Sequence, residues 1–544
     1  IMVKKYLFIF LCISILSISG YGQGWKTYPL IPEGSMIAFP VDEGRHPDEF
    51  IEWWYTAGHL TGDSTGIDYS FMLTYFYYPA YGYDGFRILN VSNEETGAFY
   101  TETAAVTYST MSEDSLNIQA TTMGDNAEFW LNKTGNDDSI IPFEYVLSAE
   151  SGQNKLDLEY ESLKPPLILG DNGYFQQGES SYTYYYSLTK SVVTGTLSID
   201  DMPEPVTGTA WIDRQYGTFN PLTEEDYEWF YLQLSNDMDI NIYNLFTGDR
   251  KLPDTSTYRH MSVYVDTLTQ YTTHNFDIER LRFNYMPDSG MCYSNKWRLT
   301  SSENNIDLLI TTNHNNSELQ LPFRFFEGST YVEGTVNSEQ VTGIGFAELL
   351  HSYEKPEISL IYPSSSRWTA LRPISWVITN PDDGRPLLYN LEYSIDEKET
   401  FITLVSGSSE SSYFWEEPEI SAGSLCWFRI TAYSIDSTLI NTAISENASE
   451  YDPNLTPLNK DLTEKGNDFQ LYPNPAEDMI FLDLHEKHPY SSYRIFDIYG
   501  RILRNQKIIA TNRIQIDLNN YKKGIYFIGL KSGDELITSK FLVR

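Results

Sequence analysis

The sequence predicts an all-β protein, with antiparallel β-barrels over its first two thirds and two β-sandwich modules after them. Aromatic residues make up 15% of the 544 residues, with 42 Tyr, and such residues favour strands. Alternating polar and apolar segments recur roughly every 10 to 15 residues between Gly, Asn and Asp, a pattern typical of antiparallel sandwiches and barrels. Apolar residues, at 41%, are enough for packed cores and exclude global disorder.

Two blocks of strands account for the predicted barrels, one over residues 24–215 and the other over residues 216–355. The first block contains Glu52-Trp53-Trp54-Tyr55, and the second contains Glu228-Trp229-Phe230-Tyr231 near its start. Both segments place an acid before an aromatic run, so we interpret the blocks as a weak internal duplication. The duplication predicts two related barrels.

Residues 356–451 form a third predicted module, which begins at a break marked by Pro356. Strand-like segments follow, for example at 358–363 and 426–434, and their order resembles a fibronectin type III or immunoglobulin-like sandwich. Such a module is expected to act as a spacer or a binding adaptor. The polar stretch at 452–467 is expected to be a linker.

The last segment, 468–544, carries four short motifs in order: Leu471-Tyr472-Pro473-Asn474-Pro475-Ala476, then 495–501, 523–528 and 540–544. Together they resemble the C-terminal sorting domain that the type IX secretion system of Bacteroidetes reads. The resemblance implies export across the outer membrane, with the secretion machinery as a partner. An ordinary C-terminal sandwich domain is the alternative.

The first 22 residues are expected to be a secretory signal peptide. Lys4 and Lys5 precede an apolar run at 6–18, and Gly20-Tyr21-Gly22 follows as a small-x-small cleavage site. The apolar run is too short to span a bilayer, and no later segment is apolar enough, so we expect no transmembrane segment in the mature chain. We therefore expect a protein that is secreted by a Gram-negative bacterium of the Bacteroidetes type, or held on its outer-membrane surface.

Charge and motifs exclude several classes of function. A formal net charge of −38 excludes nucleic acid as a partner, because phosphates need Lys and Arg. The chain has no His-Glu-x-x-His zinc motif, no P-loop and no Gly-x-Ser-x-Gly segment, so we expect no cofactor and no metal site. Cys292 and Cys426 fall in different predicted domains, and we expect no disulfide between them.

Three segments carry a resemblance to a known family. They are Glu52-Trp53-Trp54-Tyr55 with Gly58-His59-Leu60, then Tyr184-Tyr185-Tyr186-Ser187-Leu188-Thr189, and then Gly208-Thr209-Ala210-Trp211-Ile212-Asp213-Arg214-Gln215-Tyr216-Gly217. Together they resemble the AttH-like and carotenoid 1,2-hydratase (hydroxyneurosporene synthase) family over roughly residues 28 to 353. The resemblance implies two lipocalin-like β-barrels in tandem. It also implies a hydratase activity, because carotenoid hydratases add water to a terminal isoprenoid double bond.

Asp213 is the strongest candidate for a catalytic acid. Side chains alternate along a strand, so Asp213 shares one face with Trp211 and Gln215, and Arg214 lies on the other face. If the face of Asp213 is buried beside aromatic rings, the carboxyl pKa rises, and a protonated carboxyl can donate a proton to an alkene. The alternative is a structural ion pair between Asp213 and Arg214 at the junction of the barrels.

His59 and Glu348 complete the predicted catalytic set. His59 could position water or act as a base, or it could be a hydrogen-bonded structural residue near a strand end. Glu348, beside Phe346, could be a second acid or could pair with Arg214. The candidate ligand-binding residues, which could also be core residues, are Trp53, Trp54, Tyr55, Trp211, Arg214, Tyr216, Trp229 and Tyr231.

Two functions stay open from the sequence. One is an enzyme that acts on an isoprenoid or a lipid, as an acid-catalysed hydratase or a cyclase-like relative. The other is a non-catalytic surface protein that binds a lipid or pigment. Both make a hydrophobic small molecule the partner of the two predicted barrels.

Overall fold

A computed structural model describes residues 24–80, 82–219, 225–248, 250–320, 324–353, 357–378, 387–435, 439–455, 469–476, 478–484, 490–497, 500–508, 513–519, 521–532 and 535–544. The expected signal peptide and most of the expected linker at 452–467 lie outside the described residues. The described residues form two compact units, which divide mainly between residues 353 and 357. No helix in these ranges is long and apolar enough to cross a membrane.

The first unit begins with a sheet of 12 strands. In chain order they are β1 (Ile51–Gly62), β2 (Asp68–Ala80), β3 (Tyr83–Asn93), β4 (Phe99–Met111), β5 (Asn117–Thr122), β6 (Ala127–Thr134), β7 (Ile140–Ser151), β8 (Asn154–Ser162), β9 (Leu167–Ile168), β10 (Tyr174–Gln177), β11 (Ser181–Ile199) and β12 (Met202–Gly217). Strand β11 is 19 residues long and pairs with both β12 and β8. Strands β1 to β8, β11 and β12 therefore close into a ten-stranded barrel, and the predicted all-β fold class is confirmed.

Side chains fill the interior of this barrel. One hydrophobic cluster has members on all ten strands of the ring, among them Trp54 on β1, Trp130 on β6 and Tyr160 on β8. A three-residue 3-10 helix, Val41–Glu43, precedes β1 and is the only helix of the described residues. Buried Glu43 accepts a hydrogen bond from Tyr145 Oη at 2.7 Å, which fastens this lead-in to the barrel. The interior of the barrel is thus a packed core.

The second sheet of the first unit has ten strands. They are β13 (Tyr227–Leu234), β14 (Asp239–Leu245), β15 (Arg259–Asp266), β16 (Thr269–Thr273), β17 (Asp277–Tyr285), β18 (Cys292–Ser301), β19 (Ile306–Thr312), β20 (Glu318–Gln320), β21 (Arg324–Val336) and β22 (Glu339–Leu349). Their order is β16-β15-β14-β13-β22-β21-β19-β18-β17, with β20 paired to β21.

This second sheet is a half-barrel, so the expected second barrel is less closed than the sequence predicted. Its end strands β16 and β17 do not pair with each other within the described ranges. The first barrel closes because β11 is long enough to pair with two neighbours over different stretches. The longest strand of the half-barrel, β21, has 13 residues.

The two faces of the half-barrel enter different cores. Phe230 belongs to a cluster within the half-barrel, whereas its neighbours Trp229 and Tyr231 on β13 belong to a cluster shared with the first barrel. The first barrel contributes its outer face to this shared cluster, because Tyr55 lies there and the adjacent Trp54 lies in the barrel interior. The half-barrel therefore packs against the outside of the barrel wall.

The second unit also consists of β-sheets. Its strands are β23 (Ile358–Tyr362), β24 (Arg367–Trp368), β25 (Ile374–Ile378), β26 (Leu387–Ser394), β27 (Ile402–Ser408), β28 (Ser412–Tyr413), β29 (Leu425–Ser434), β30 (Leu439–Ile444), β31 (Ser449–Tyr451), β32 (Phe469–Tyr472), β33 (Met479–Leu484), β34 (Ser492–Asp497), β35 (Ile502–Lys507), β36 (Arg513–Asp517), β37 (Gly524–Ser532) and β38 (Glu535–Val543). Strands β23 to β31 form a three-stranded and a six-stranded sheet, and β32 to β38 form a three-stranded and a four-stranded sheet. The fibronectin-like identity of residues 356–451 stays a prediction.

Candidate functional site

A cavity opens between the outer face of the barrel and the facing side of the half-barrel. It encloses about 910 Å³ of empty space including its open mouth, of which about 80 Å³ is open to the centre of a water molecule. Its lining is mostly aromatic and aliphatic and comprises Ile51, Trp53, Tyr55, Met72, Thr74, Phe76, Tyr78, Phe86, Ile88, Tyr185, Asp213, Gln215, Phe219, Tyr227, Trp229, Tyr243, Phe325, Glu327 and Glu348.

Strand register arranges the barrel wall of the cavity in two rows of directly paired residues. The buried row crosses β3, β2, β1 and β12 and consists of Ile88, Thr74, Tyr55 and Asp213. The aromatic row lies two residues further along the same strands, continues onto β11, and consists of Phe86, Phe76, Trp53, Gln215 and Tyr185. The Phe76 ring stacks on Phe86 at 4.4 Å and lies 5.8 Å from Trp53, so three aromatic side chains form a continuous wall.

The half-barrel presents one row of paired residues to the cavity. This facing row crosses β14, β13, β22 and β21 and consists of Tyr243, Trp229, Glu348 and Glu327. It meets the buried row at Tyr55, whose ring lies edge-on to Trp229 at 5.4 Å and whose Oη donates to Glu327 Oε1 at 2.9 Å. Register within each sheet and the packing of the half-barrel on the barrel wall therefore bring acids from β12, β21 and β22 into one cavity.

Asp213 is 2% exposed and is held by three neutral donors. Ser187 Oγ and Trp211 Nε1 donate to Oδ1 at 2.5 and 2.6 Å, and Tyr185 Oη donates to Oδ2 at 2.5 Å. Tyr185 Oη is itself fixed by Trp229 Nε1, which donates to it at 2.9 Å. Burial raises the pKa of the Asp213 carboxyl to about 7, while the three hydrogen bonds act to lower it. Asp213 therefore gains and loses its proton near neutral pH, and three hydrogen-bond donors are already in place to stabilise its anion.

Glu327 and Glu348 form a second acidic group, directly opposite each other on β21 and β22. Burial, the charge of Glu348 and a hydrogen bond between the two carboxyls raise the pKa of Glu327 well above its ordinary value. Burial also raises the pKa of the partly buried Glu348 to about 7, against hydrogen bonds from Tyr227 and Glu327 that lower it. Both carboxyls of the pair therefore hold a proton more tightly than an exposed glutamate does, and Glu327 does so more strongly than Glu348.

None of the ion pairs in the described part of the chain involves Asp213, Glu327 or Glu348. The charge of Asp213 raises the pKa of Glu348 further, so the two acidic groups are close enough to interact. Protons, rather than cations, neutralise this cluster. The described ranges also hold no group of three or more His, Cys, Asp or Glu side chains that could bind a metal ion.

Arg214 lies on the other face of β12. Its Nη2 contacts Glu52 Oε2 at 2.5 Å, and its guanidinium lies 3.9 Å from the Trp54 ring and 5.0 Å from the Tyr216 ring. The expected structural ion pair of Asp213 with Arg214 is therefore wrong, and so is the pairing of Glu348 with Arg214. The structure does not bring Trp54, Arg214 or Tyr216 to the cavity, because adjacent residues of a strand face opposite ways.

Three other predicted residues lie near the cavity without lining it. Trp211 donates to Asp213 and stacks on Tyr231 at 4.8 Å, so both serve as packing behind the acid. His59 lies edge-on to Phe346 at 5.5 Å, and burial lowers its pKa. Of the predicted set, the residues that line the cavity are Asp213, Glu348, Trp53, Tyr55 and Trp229.

Sequence analysis did not assign a site role to Glu327, Tyr185 or Ser187. Tyr185 and Ser187 lie in a segment that carries the family resemblance, and their alternation on β11 places them on one face, so a signal was present. Glu327 follows two Phe residues, and that was its only sequence signal. Its position opposite Glu348 depends on the β21–β22 register, which the sequence does not reveal.

Comparisons with known proteins find similarity in two parts of the chain. A family model described as AttH-like matches residues 31–353, and a model of the secretion system C-terminal sorting domain matches residues 470–544. No curated protein sequence matches the chain significantly. A solved structure described as an AttH from Nitrosomonas europaea is similar at 20% identity and a TM-score of 0.49, and the match covers 59% of this chain and 99% of that one. Kievitone hydratase from Nectria haematococca is similar at 18% identity and a TM-score of 0.47, with 59% and 98% of the two chains covered.

The sorting-domain match confirms the interpretation of the last segment and with it the expected location. The protein is secreted or lies on the cell surface of a Bacteroidetes-type bacterium, and its sorting domain implies contact with the type IX secretion machinery. The AttH-like match spans more than half of the chain and confirms the resemblance carried by the segments around Trp53, Tyr185 and Asp213. The chain belongs to the AttH-like family.

Proposed function

We propose that this protein is a secreted hydratase that adds water across a C=C bond of an apolar small molecule bound in the cavity. The observation that supports this most is the cluster of Asp213, Glu327 and Glu348, three carboxyls without a cationic partner among the described residues, in a cavity lined mostly by aromatic and aliphatic side chains. Hydration of an unactivated alkene needs an acid, protection for a carbocation and a base for the attacking water. The cavity offers a group for each task.

Asp213 is the proposed proton donor. Its carboxyl proton passes to one alkene carbon, the π electron pair forms the new C–H bond, and the other carbon becomes a carbocation. The anion left on Asp213 is met by the donors of Tyr185, Ser187 and Trp211, which are in place before the transfer. Donors preorganised around a charge that develops in the transition state lower the barrier without further rearrangement.

Aromatic side chains are the proposed protection for the carbocation. Tyr55 and Trp229 lie beside Asp213 and Glu348, and the aromatic row with Trp53 continues from them toward the mouth. Aromatic rings attract cations through the negative charge of their faces, most strongly where water is excluded. The same walls would guide a cation to an internal double bond, which is the cyclase-like variant of this chemistry.

Glu348 is the proposed base for water. Burial raises the pKa of Glu327 well above its ordinary value and that of Glu348 to about 7, so Glu348 is the carboxyl of the pair proposed to ionise. The oxygen of a water molecule at Glu348 forms the C–O bond with the carbocation, and the water gives one proton to the Glu348 carboxylate. Return of that proton to Asp213 through water in the cavity closes a cycle that consumes alkene and water and yields an alcohol.

Turnover in ¹⁸O-labelled water tests this proposal. We expect the mature protein and the surface control Asp307→Asn to form an ¹⁸O-labelled alcohol from acyclic isoprenoid alkenes, and Asp213→Asn to form none. Asp213→Asn should still fold and bind, because no buried cation loses its partner. Labelled product from Asp213→Asn at the wild-type rate would refute the role of Asp213.

A non-catalytic binding protein is the second candidate function. It is favoured by the complete hydrogen bonding of Asp213, which is what a purely structural buried acid also requires. This candidate predicts that an apolar molecule copurifies with the protein and that wild-type protein incorporates no ¹⁸O into any isoprenoid. Mass spectrometry of organic extracts and of the labelled reactions distinguishes the two.

A further inference from the structure

Tyr243 stands at the end of the facing row opposite Glu327, and its hydroxyl is unpaired. The side chain lines the cavity and is 4% exposed, yet its Oη makes no hydrogen bond to any described residue. The ring is fixed by Tyr227 and His260, whose centroids each lie 5.6 Å away. An ordered hydroxyl that is removed from water without a partner is rare in a folded protein.

A second unpaired donor lies beside this hydroxyl. Gln215, in the aromatic row, donates from Nε2 to Gln177 Oε1 at 3.2 Å and so orients the Gln177 amide. Gln177 is 1% exposed, and its Nε2 has no hydrogen-bond partner among the described residues. The amide of Gln177 lies close enough to the Tyr243 phenol to lower its pKa, against burial, which raises it. Gln177 does not line the cavity, so the O–H of Tyr243 is the donor that faces the cavity, with Gln177 beside it.

The charges around Tyr243 select what its hydroxyl would bind. Burial raises the pKa of Tyr243 most, and the charges of Glu348 and Glu225 raise it further, so this end of the cavity has a negative potential. An anionic group such as a carboxylate or phosphate would be repelled there. A neutral oxygen, which accepts hydrogen bonds without bringing charge, is the complementary partner.

Sheet geometry sets the approximate spacing between Tyr243 and the nearest acid of the row. Tyr243 on β14 and Glu348 on β22 flank Trp229 on β13, and all three are in register. Two strand spacings of about 4.8 Å separate their backbones by roughly 10 Å. A molecule that spans the row would have its oxygen and its reacting double bond about that far apart.

We infer that the substrate is an amphiphile with a neutral hydroxyl or carbonyl oxygen, which Tyr243 binds while the alkene lies at the carboxyl cluster. The inference rests on the proposed hydratase function and narrows its substrate class from apolar hydrocarbons to oxygen-bearing alkenes. Tyr243 is in this view a specificity-determining residue. It selects the substrate and fixes which double bond reaches Asp213.

Binding of three probes with one carbon skeleton tests the inference on the mature chain. The probes are farnesol, farnesene and farnesoic acid, and their affinities are measured by displacement of a fluorescent apolar dye. We expect wild-type protein to bind farnesol about tenfold more tightly than farnesene, the value of one net hydrogen bond. Ionised farnesoic acid should bind most weakly. Tyr243→Phe should lower the farnesol affinity about tenfold and leave the farnesene affinity unchanged.

Tyr160→Phe is the matched control, because it removes another buried hydroxyl without a hydrogen-bond partner, from the barrel core outside the cavity. It should retain the wild-type preference among the probes.

Equal affinities for farnesol and farnesene, no binding of farnesol, or tightest binding of the acid would overturn the inference. Binding is read separately from turnover, so the two proposals fail separately. Farnesol that binds through Tyr243 without being hydrated refutes the hydratase function alone, and farnesene that is bound and hydrated as well as farnesol refutes the inference alone.

Discussion

Two buried acids on opposite faces of one barrel wall have opposite surroundings. On the interior face, Glu52 contacts the guanidinium of Arg214 at 2.5 Å. On the outer face, Asp213, the residue before Arg214 in the chain, meets only the neutral donors Tyr185, Ser187 and Trp211. Both carboxyls are at most 2% exposed, so burial alone does not explain their difference.

The difference shows how this chain separates a structural acid from a reactive one. Burial acts to raise the pKa of Glu52, but the charge of Arg214 and the hydrogen bonds of His46 and Arg214 bring it below its ordinary value. Asp213 has hydrogen bonds but no countercharge, so burial prevails and its pKa rises to about 7. A guanidinium fixes the charge of a buried carboxyl, and neutral donors leave its proton available near neutral pH.

Removal of Arg214 should have the largest effect on stability. Arg214→Met keeps most of the volume but leaves Glu52 as an unpaired buried charge, and we expect a loss of about 3–5 kcal/mol. Calorimetry of the mature chain measures it as a lower melting transition. The double variant with Glu52→Gln should recover most of the loss, because the stranded charge is gone. A single variant as stable as wild type would contradict the structural role of the pair.

The pH dependence of stability should separate the two acids by sign. The folded-state pKa of Asp213 is about 7 and its ordinary value is 3.8, so the folded state keeps a proton that the unfolded chain releases between these values. The stability that Asp213 contributes is therefore full below pH 4 and is lost as the pH rises toward 7. Each pKa unit is worth about 1.4 kcal/mol, on the order of 4 kcal/mol over the window.

Glu52 acts in the opposite direction, because its pKa is lowered and its contribution is lost as the pH falls. Melting curves between pH 4 and 8 should show a shallower decline for Asp213→Asn than for wild type. Glu52→Gln should instead remove stability chiefly at the higher pH values. Identical slopes for wild type and Asp213→Asn would mean that Asp213 is ionised throughout this range.

The sequence predicted the elements of the site better than their arrangement. Strand alternation correctly separated Asp213 and Trp211 from Arg214, because side chains along a strand point to opposite faces. It did not reveal which face is the barrel interior, since both faces of this wall are buried and both read as apolar. The cavity lies outside the barrel, against the half-barrel. The residue pattern of a single strand does not predict that position, because it does not show which sheet packs on which face.

Long-range pairing accounts for what the sequence did not predict. Glu327 became a site residue only through its register with Glu348, and these residues lie on strands whose pairing no local motif specifies. Closure of the first barrel depends on β11, which shifts register between Leu188 and Ser191 and pairs with both β8 and β12. This register shift lets one strand pair with two different neighbours. Composition and periodicity do not predict such a shift.

The smallest effect should come from an arginine–carboxylate pair that has more hydrogen bonds than Glu52–Arg214 but lies on the surface. Arg298 donates to Asp307 through Nε at 2.9 Å and Nη2 at 2.7 Å, and both side chains are about half exposed. Water and salt screen such a pair, and its two side chains lose entropy when they are held together. Arg298→Ala should therefore leave the melting temperature and its pH dependence unchanged. The variant and the wild type should also have the same melting temperature in added salt. If Arg298→Ala lowered the melting temperature as much as Arg214→Met does, burial would not explain the cost. The hydrogen bonds of the guanidinium, and not the exclusion of water from the unpaired acid, would then set the stability lost with an arginine in this protein.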